Sequence, residues 1–167
     1  LRTTRYNDGT YIPLVEDYPS WFNRTTSAYC WYDNDPSNKS TYGALYNWYT
    51  ANTGKVCPIG LHVPDIEEWH ELINTVEAKY IDIEDLNSAA GKIREVGLNH
   101  WVRSTPGTKN QSGFTAIPGG HRIAFRPNED KDFNSIGERA YFWTTESGLN
   151  AYNVRIPIGL DLYYTQD

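Results

Sequence analysis

Cysteine and histidine are the side chains most able to bind a metal or act as a nucleophile, and this chain has two cysteines and four histidines. Cys30 and Cys57 are too few and too far apart in sequence for a zinc site, which needs more ligands at closer spacing. No two histidines have the His-x-x-x-His spacing that puts two ligands on one helical face. They are His62, His70, His100 and His121. The sequence therefore predicts no catalytic residue, no metal site and no cofactor.

The two cysteines and the first histidine have structural roles that need no chemistry. Cys30 and Cys57 either form a disulfide, which would stabilise the fold by about 2 to 4 kcal/mol in an oxidising compartment, or remain separate buried thiols. His62 stands beside Val63 and Pro64. We expect it to be a packed ring that donates a hydrogen bond to the backbone rather than a metal ligand.

Two acidic clusters carry oxygen atoms of the kind that calcium prefers. Neither cluster has the layout of an EF-hand loop, and Lys131 partly cancels the negative charge of the second one. We expect both to be solvated turns. The clusters are Asp33-Asn34-Asp35 and Asn128-Glu129-Asp130-Lys131-Asp132.

A polar face is predicted on the last strands of the chain. Asn153 and Arg155 alternate with apolar residues, and Asp161 and Tyr163 repeat the same polarity. If residues 157–159 form a turn, Arg155 lies across from Asp161 and Asn153 lies across from Tyr163. The face is then either a binding strip or the solvated outer side of a sheet, and the sequence leaves both interpretations open.

Two aromatic residues extend this predicted face. Tyr141 and Trp143 are two residues apart, so they project to the same side of their strand. Aromatic rings beside amide and guanidinium donors commonly hold sugars or peptides, although core packing is the alternative role for such rings. The predicted ligand-binding residues are Tyr141, Trp143, Tyr152, Asn153, Arg155, Asp161 and Tyr163.

Composition excludes several classes of function. The net charge of −6 is spread along the chain, so its field weakly repels nucleic acid and anionic membranes. No apolar run approaches the roughly 20 residues that span a bilayer. We therefore expect no nucleic-acid partner and no membrane insertion by this chain. Its 167 residues fit one domain with one core.

The spacing of apolar residues predicts two early helices. The first covers Tyr42–Ala51, and the second covers Asp65–Lys79. Asp65 and Glu68 form a capping box at the start of the second helix. A short third helix is expected at Ala89–Glu95.

Strand signals follow the helices, which indicates an α+β protein rather than an alternating βαβ one. An Asp8-Gly9 turn predicts a hairpin near the start, and residues 17–39 are predicted to be mostly loop with one short strand at Ser27–Tyr32. The later strands are predicted at Phe114–Ile117, Gly120–Phe125, Ala140–Thr145, Ala151–Ile156 and Leu160–Thr165.

The tract Ser112–Arg122 interrupts the β region with a Pro118-Gly119-Gly120 corner. Glycine permits positive φ and close backbone approach, and proline removes an amide donor. The tract therefore predicts a fixed backbone geometry in the scaffold rather than a reaction centre.

Six ordered blocks of sequence cover most of the chain. They are Tyr42–Trp48, Cys57–Pro64 with Glu68-Trp69, Ala90–Ile93, Ser112–Arg122, Phe133–Gly137 and Tyr141–Glu146. In this order the blocks resemble the Fibrobacter succinogenes major paralogous domain, whose members are mostly exported or surface-attached proteins of Bacteroidetes and Fibrobacteres. The resemblance implies a single domain over residues 1–167.

That family resembles the C-type lectin-like fold in its formylglycine-generating-enzyme-like branch. The resemblance implies two early helices, a late antiparallel β region and irregular loops, with the first and last strands missing from this chain. Leu61 stands where the family usually has tryptophan. In the related fold a late cysteine pairs with one near the first helices, which implies that Cys57 lacks its partner here. Enzymes of that branch need a close cysteine pair, which Cys30 and Cys57 do not convincingly supply.

The resemblance and the polar face together favour a non-enzymatic ligand-binding domain that is exported or lies at the cell surface. Its expected partner is a glycan or a surface protein, and a lipid anchor outside this chain is one option for attachment. Some exported proteins of this fold resemble the variable proteins of diversity-generating retroelements. Two alternatives stay open: a structural module of an adhesin or surface fibre, and an enzyme of the formylglycine-generating type. The sequence leaves the oligomeric state open.

Overall fold

A computed structural model describes residues 1–79, 89–104, 108–123, 132–149 and 155–163. Within these residues the chain is α+β, as the sequence predicts, and none of the described helices is long and apolar enough to cross a membrane. The helices are α1 (Tyr18–Phe22), α2 (Trp48–Ala51), α3 (Ile66–Lys79) and α4 (Ala89–Ile93), with 3₁₀ turns at Tyr32–Asn34 and Pro36–Lys39. The strands are β1 (Tyr29–Cys30), β2 (Leu45–Tyr46), β3 (Gly119–Arg122), β4 (Phe133–Ile136), β5 (Arg139–Leu149) and β6 (Arg155–Tyr163).

The strands form two sheets. β1 and β2 pair as a small antiparallel sheet, and the four late strands lie in the order β4-β3-β5-β6. β3 pairs antiparallel with β4, and β5 pairs antiparallel with β6, but β3 and β5 run parallel. The late β region is therefore mixed, whereas the sequence predicts an antiparallel one. The chain reverses direction twice between β3 and β5, so these two neighbours point the same way.

Helix α3 begins where the sequence predicts. Asp65 Oδ1 accepts a hydrogen bond from the Glu68 amide at 2.8 Å, and the Glu68 carboxylate accepts one from the Asp65 amide at 2.9 Å. This reciprocal capping box satisfies amide donors that no helical carbonyl can reach. The Glu146 carboxylate in β5 also accepts a hydrogen bond from the Ile66 amide at about 3 Å. The start of α3 is therefore fixed to the late sheet.

The predicted helix Tyr42–Ala51 is wrong in its first half. Leu45 and Tyr46 instead form β2, which pairs with β1, and Gly43 has a φ of 79° that no right-handed helix allows. Asn47 then caps α2, because its side chain accepts a hydrogen bond from the Thr50 amide at 3.1 Å. Pairing with a distant strand outweighs the helical spacing of the aromatic residues in this segment.

The strand predicted at Phe114–Ile117 is also wrong. Gly113 and Thr115 have positive φ, which breaks the extended conformation, and Ala116 makes an isolated bridge with Arg94. Conversely, the sequence does not predict β4. Its central residues are Asn and Ser, which carry little strand propensity, and β4 forms because β3 supplies a partner.

Several local predictions are confirmed. The early hairpin forms with a bridge between Arg5 and Tyr11, the short strand at Ser27–Tyr32 contains β1, and the short third helix is α4. The strands predicted near residues 120 and 140 are β3 and β5. Residues 17–39 contain α1 and both 3₁₀ turns, so this segment is more ordered than the predicted loop.

A buried arginine joins the first part of the chain to the late sheet. The Arg122 side chain in β3 is fully buried, and its guanidinium donates to the carbonyls of Val15 and Glu16 at 2.7 and 2.5 Å. It also pairs with the Asp132 carboxylate at 2.9 Å. The surrounding apolar cluster draws on both parts of the chain and contains Val15, Trp21, Ala28, Cys30, Tyr32 and Phe133.

The predicted Pro-Gly-Gly corner places β3 close to its neighbours. Pro118 is fully buried, and Gly120 has a φ of 64°. A side-chain carbon at Gly120 would lie 2.6 Å from the Asn134 carbonyl oxygen and 2.7 Å from the Ile136 nitrogen. Glycine is therefore required here both for its conformation and for the close approach of β4.

We expect Gly120→Ala to destabilise the protein far more than Gly54→Ala. Both glycines have positive φ, but a side-chain carbon at Gly54 would have no atom within 4 Å. Gly54→Ala should cost about 1 to 2 kcal/mol for backbone strain alone, and Gly120→Ala should cost about 2 kcal/mol more because the strands must separate. Urea unfolding of both variants measures the difference. Equal losses of unfolding free energy in the two variants would show that the close approach of β3 and β4 does not affect stability.

Candidate functional site

Strands β5 and β6 carry exposed aromatic and charged residues on one side of the sheet. The other side packs against the apolar cluster that contains Ala140 and Leu162. Tyr141 in β5 lies directly opposite Asp161 in β6, so both project to the same side. Their neighbours Ala140 and Leu162 are buried on the other side. We call the exposed side the outer face and define it by His121, Arg139, Tyr141, Trp143 and Asp161.

Arg139 organises the centre of the outer face. Its Nη1 donates to the Asp161 carboxylate at 2.9 Å and to the Tyr141 hydroxyl at 3.1 Å. The Arg139 and Asp161 side chains are 43% and 36% exposed, and a pair with this exposure contributes only about 0 to 1 kcal/mol to stability. Its main effect is to hold a donor, an acceptor and a phenol side by side at the surface.

Burial raises the pKa of the Tyr141 phenol. The hydrogen bond from Arg139 acts in the opposite direction, and the charge of Asp161 raises the pKa further. The hydroxyl therefore keeps its proton at neutral pH, and it can donate as well as accept hydrogen bonds.

His121 extends the outer face onto β3. Its ring lies 4.6 Å from the Tyr141 ring, centroid to centroid, and its backbone partner in β4 is the exposed Asn134. Burial lowers the pKa of His121, and the positive charge of Arg139 lowers it further, against the opposing effect of Asp161. The imidazole is therefore neutral at pH 7.

Trp143 has a fixed orientation. Its indole nitrogen donates to the Tyr46 carbonyl at 2.7 Å, which ties β5 to β2, and its backbone partner in β6 is Gly159. The Trp143 residue is 38% exposed and Tyr141 is 40% exposed. The indole N–H already has an acceptor, so Trp143 offers a ligand part of its ring surface.

A bulge follows Trp143. Three residues of β5 separate Trp143 from Ser147, whereas one residue of β6 separates their partners. Thr144 Oγ1 donates to the Ile158 carbonyl at 3.0 Å, and the Thr145 amide donates to the Pro64 carbonyl at 3.1 Å. Glu146 in β5 also accepts a hydrogen bond from the Ile66 amide. The contacts of Thr145 and Glu146 therefore fix this end of the outer face to the start of α3.

The structure changes the predicted arrangement of the polar face. Residues 157–159 are not a turn, because Arg155–Tyr163 forms one strand that pairs with β5. Arg155 therefore lies in the same strand as Asp161, and its backbone partner is Leu149. The backbone partner of Tyr163 is Arg139. Pro157 remains in the strand because β6 has β5 on only one side among the described strands.

The seven predicted ligand-binding residues have different outcomes. Tyr141, Trp143 and Asp161 are together on the outer face. Arg155 and Tyr163 are described by their backbone pairing, and Tyr152 and Asn153 lie outside the described residues. The predicted strand Ala151–Ile156 is described from Arg155 onward, and Leu160–Thr165 as far as Tyr163.

Sequence reasoning missed two members of the outer face. The signal for Arg139 was present, because Arg139, Tyr141 and Trp143 are spaced two residues apart, but the strand was predicted to begin after it. His121 carried no such signal. It joins Tyr141 only because β3 and β5 are neighbours in the sheet.

The two cysteines remain separate thiols. Both are free and buried, and each lies in a different apolar cluster. Burial raises the pKa of Cys30 to about 11 and also raises the pKa of Cys57. The protonated thiol is the favoured form of both, and it is a poor nucleophile and a poor metal ligand.

The remaining metal candidates have structural contacts. His62 is exposed, and its ring pairs with the Glu68 carboxylate at 2.8 Å, so the predicted packed ring is wrong. Asp35 caps a 3₁₀ turn, and Asp132 binds Arg122, while Asn128–Lys131 lie outside the described residues. Within the described part of the chain, no three His, Cys, Asp or Glu side chains form a group able to hold a metal ion.

We expect the stability of the protein to fall as pH decreases through 6.5, the ordinary pKa of histidine, towards the lowered pKa of folded His121. In that range the unfolded chain binds a proton at His121 more readily than the folded chain does, so acid favours unfolding. His121→Gln should flatten this slope in urea unfolding between pH 7 and 5.5. His70→Gln, which alters an exposed ring on α3, is the control. An unchanged slope in His121→Gln would contradict the electrostatics described for the outer face.

The chain matches a known protein family along almost its whole length. Residues 1–164 match the family model of the Fibrobacter succinogenes major domain, which confirms the resemblance of the six sequence blocks. Neither the curated proteins nor the solved structures contain a match to the chain. The family match covers nearly the whole length, and the chain belongs to the Fibrobacter succinogenes major domain family.

Proposed function

We propose that this protein is a non-enzymatic recognition domain that binds a ligand on the outer face. One observation carries the proposal: two partly exposed aromatic rings lie beside an exposed Arg139–Asp161 pair on one rigid strand pair. Rings supply apolar contact area, and the paired charges supply directed hydrogen bonds. A glycan or a surface protein is the class of ligand that such a face would hold.

The outer face is prepared for binding before a ligand arrives. Trp143 is held by Tyr46, and Tyr141 is held between Arg139 and the His121 ring. A ligand therefore does not have to order these side chains, and the entropic cost of binding is reduced.

Two observations support a non-enzymatic role over one of the formylglycine-generating type. That chemistry depends on reactive thiolates held close together. Cys30 and Cys57 lie in different clusters, and burial favours the protonated form of both. The outer face itself has an arginine, a carboxylate and a neutral imidazole that are all engaged in structural contacts.

The proposal includes a C-type lectin-like fold and a location outside the cell, as the family resemblance implies. The α+β order and the contact between the start of α3 and the late sheet support this part of the proposal. It also includes a role as a variable protein of a diversity-generating retroelement. Tyr141 and Asp161 stand on regular strands whose backbone hydrogen bonds do not depend on the side chain, so substitutions there are compatible with the fold.

A structural module of a surface fibre is the second candidate. The observation that favours it is the position of β6, which has one neighbour among the described strands and is nine residues long. A strand edge of this kind can pair with a second chain. Pro157 lies within this strand and opposes such pairing, because it removes a donor from the edge.

We expect Tyr141→Ala to lower the affinity for a captured ligand about tenfold, because a central tyrosine commonly contributes more than 1 kcal/mol to an interface. The probes are immobilised neutral glycans, sialylated and sulfated glycans, and purified extracellular proteins. Tyr11→Ala is the matched control, since Tyr11 is an exposed tyrosine of the early hairpin and is not one of the residues that define the outer face.

Circular dichroism checks that both variants remain folded. Capture that weakens in Tyr141→Ala and not in Tyr11→Ala supports the outer face as the binding site. The proposal fails if the protein captures none of the probes, or if every captured probe binds Tyr141→Ala as tightly as the unchanged protein.

A further inference from the structure

We propose that the outer face binds neutral saccharides through two adjacent hydroxyl groups held between Arg139 and Asp161, with the sugar ring lying against Tyr141 and Trp143. The inference rests on the proposed recognition function of the same face. It goes further by naming the chemical class of the ligand and the role of each side chain.

The donor and the acceptor of the Arg139–Asp161 pair lie at a spacing that a sugar can match. Arg139 Nη1 and Asp161 Oδ2 are 2.9 Å apart, and both side chains are partly exposed. Adjacent hydroxyl oxygens on a sugar ring are separated by a similar distance. Each hydroxyl both donates and accepts, so one can accept from Arg139 while its neighbour donates to Asp161. A pair of hydroxyls on adjacent carbons therefore matches both groups at once.

Opening the Arg139–Asp161 pair to a ligand costs little free energy. An exposed pair contributes about 0 to 1 kcal/mol to stability. Hydroxyl groups that come between its two partners therefore cost the protein little stabilising free energy. The hydrogen bonds that they form in exchange involve charged groups, which are the stronger kind. The Tyr141 hydroxyl, which accepts from the same Nη1 atom, is a further group within reach of the ligand.

The outer face has no net charge. The positive charge of Arg139 and the negative charge of Asp161 cancel on the outer face, and the neutral His121 ring adds none. An anionic sugar attracted by Arg139 would be repelled by Asp161 at nearly the same distance. The protein as a whole also carries a net charge of −6. These charges therefore favour a neutral ligand over a sialylated or sulfated one.

The two aromatic rings are spaced to contact a sugar chain. Tyr141 and Trp143 are two residues apart on one strand, which separates their attachment points by about 6.6 Å. This separation suits one sugar unit and the linkage to the next. The C–H surface of a sugar packs on an aromatic ring, and the hydrogen bond from Trp143 to Tyr46 keeps that ring from turning away.

A saccharide fits these side chains better than a protein partner does. Stable protein interfaces bury about 800 Å² on each side around a dry apolar centre. The centre of the outer face is instead occupied by a charged pair and a phenol. Hydroxyl groups satisfy these polar atoms, whereas an apolar protein surface would leave them desolvated.

The test measures binding of the full chain to immobilised neutral disaccharides of glucose, galactose, mannose and xylose. Sialylated and sulfated glycans and purified extracellular proteins form separate arms. Asp161→Asn should weaken binding of a neutral disaccharide about tenfold, because it removes a charged acceptor. Asp8→Asn is the matched control, since Asp8 forms an exposed pair of the same 2.9 Å length with Lys55 in the early part of the chain.

A second readout addresses the adjacent hydroxyls directly. Methylation of one hydroxyl of the bound pair should reduce binding to the level of Asp161→Asn, and it should have no added effect in that variant. Binding that is unaffected by methylation at every hydroxyl would overturn the inference.

The remaining outcomes separate this inference from the proposed function. The protein could instead capture only anionic glycans or only a protein, with Tyr141→Ala weakening that capture. This result overturns the claim that the ligand is a neutral saccharide, and it supports the recognition function. Neutral saccharide binding that is the same in Asp161→Asn and in the unchanged protein overturns the role of the ion pair. Absence of binding to all three arms overturns both proposals.

Discussion

A guanidinium group that is removed from water must find acceptors within the protein, and Arg122 finds them in two distant parts of the chain. Its donors reach the carbonyls of Val15 and Glu16 in the N-terminal segment and the carboxylate of Asp132 just before β4. The rings of Trp21 and Phe133 lie about 5 Å from its charged carbon. This one side chain therefore joins the N-terminal segment and α1 to the late sheet.

The position of Arg122 also determines what the outer face can present. Arg122 points into the core, so its neighbour His121 points the opposite way, next to Tyr141. Gly120 lets β3 approach β4 closely and pair with β5 at Ala140. A rotation of β3 would move His121 away from the Arg139–Asp161 pair. The place of the His121 ring beside Tyr141 thus depends on a contact made in the core.

Local sequence signals predicted the elements that depend on nearby residues. The capping box of Asp65 and Glu68 identified the start of α3, and the alternation around Tyr141 identified one side of β5. The family was also identifiable from its six ordered sequence blocks, and one of these blocks contains the corner at Gly119-Gly120. Three of the seven predicted ligand-binding residues, Tyr141, Trp143 and Asp161, are together on one exposed face.

Long-range pairing accounts for what the sequence did not reveal. Leu45 has helical spacing with Trp48 and Tyr49, yet it lies in β2, which pairs with β1 earlier in the chain. Pro157 and Gly159 resemble a turn, yet β5 is long enough to hold all of β6 as one strand. His121 and Tyr141 meet because two strands that β4 separates along the chain become neighbours in the sheet. None of these pairings is encoded in the residues that immediately flank them.

The most direct test of this account is the free energy of unfolding of Arg122→Lys, measured by urea denaturation beside the unchanged protein. Lysine keeps the charge but cannot donate to two carbonyls and a carboxylate in the geometry of a guanidinium. The account predicts a loss of at least about 2 kcal/mol, since hydrogen bonds to charged groups contribute about 1.5 to 3 kcal/mol each. A loss below about 0.5 kcal/mol, within the range of ordinary surface substitutions, would contradict it.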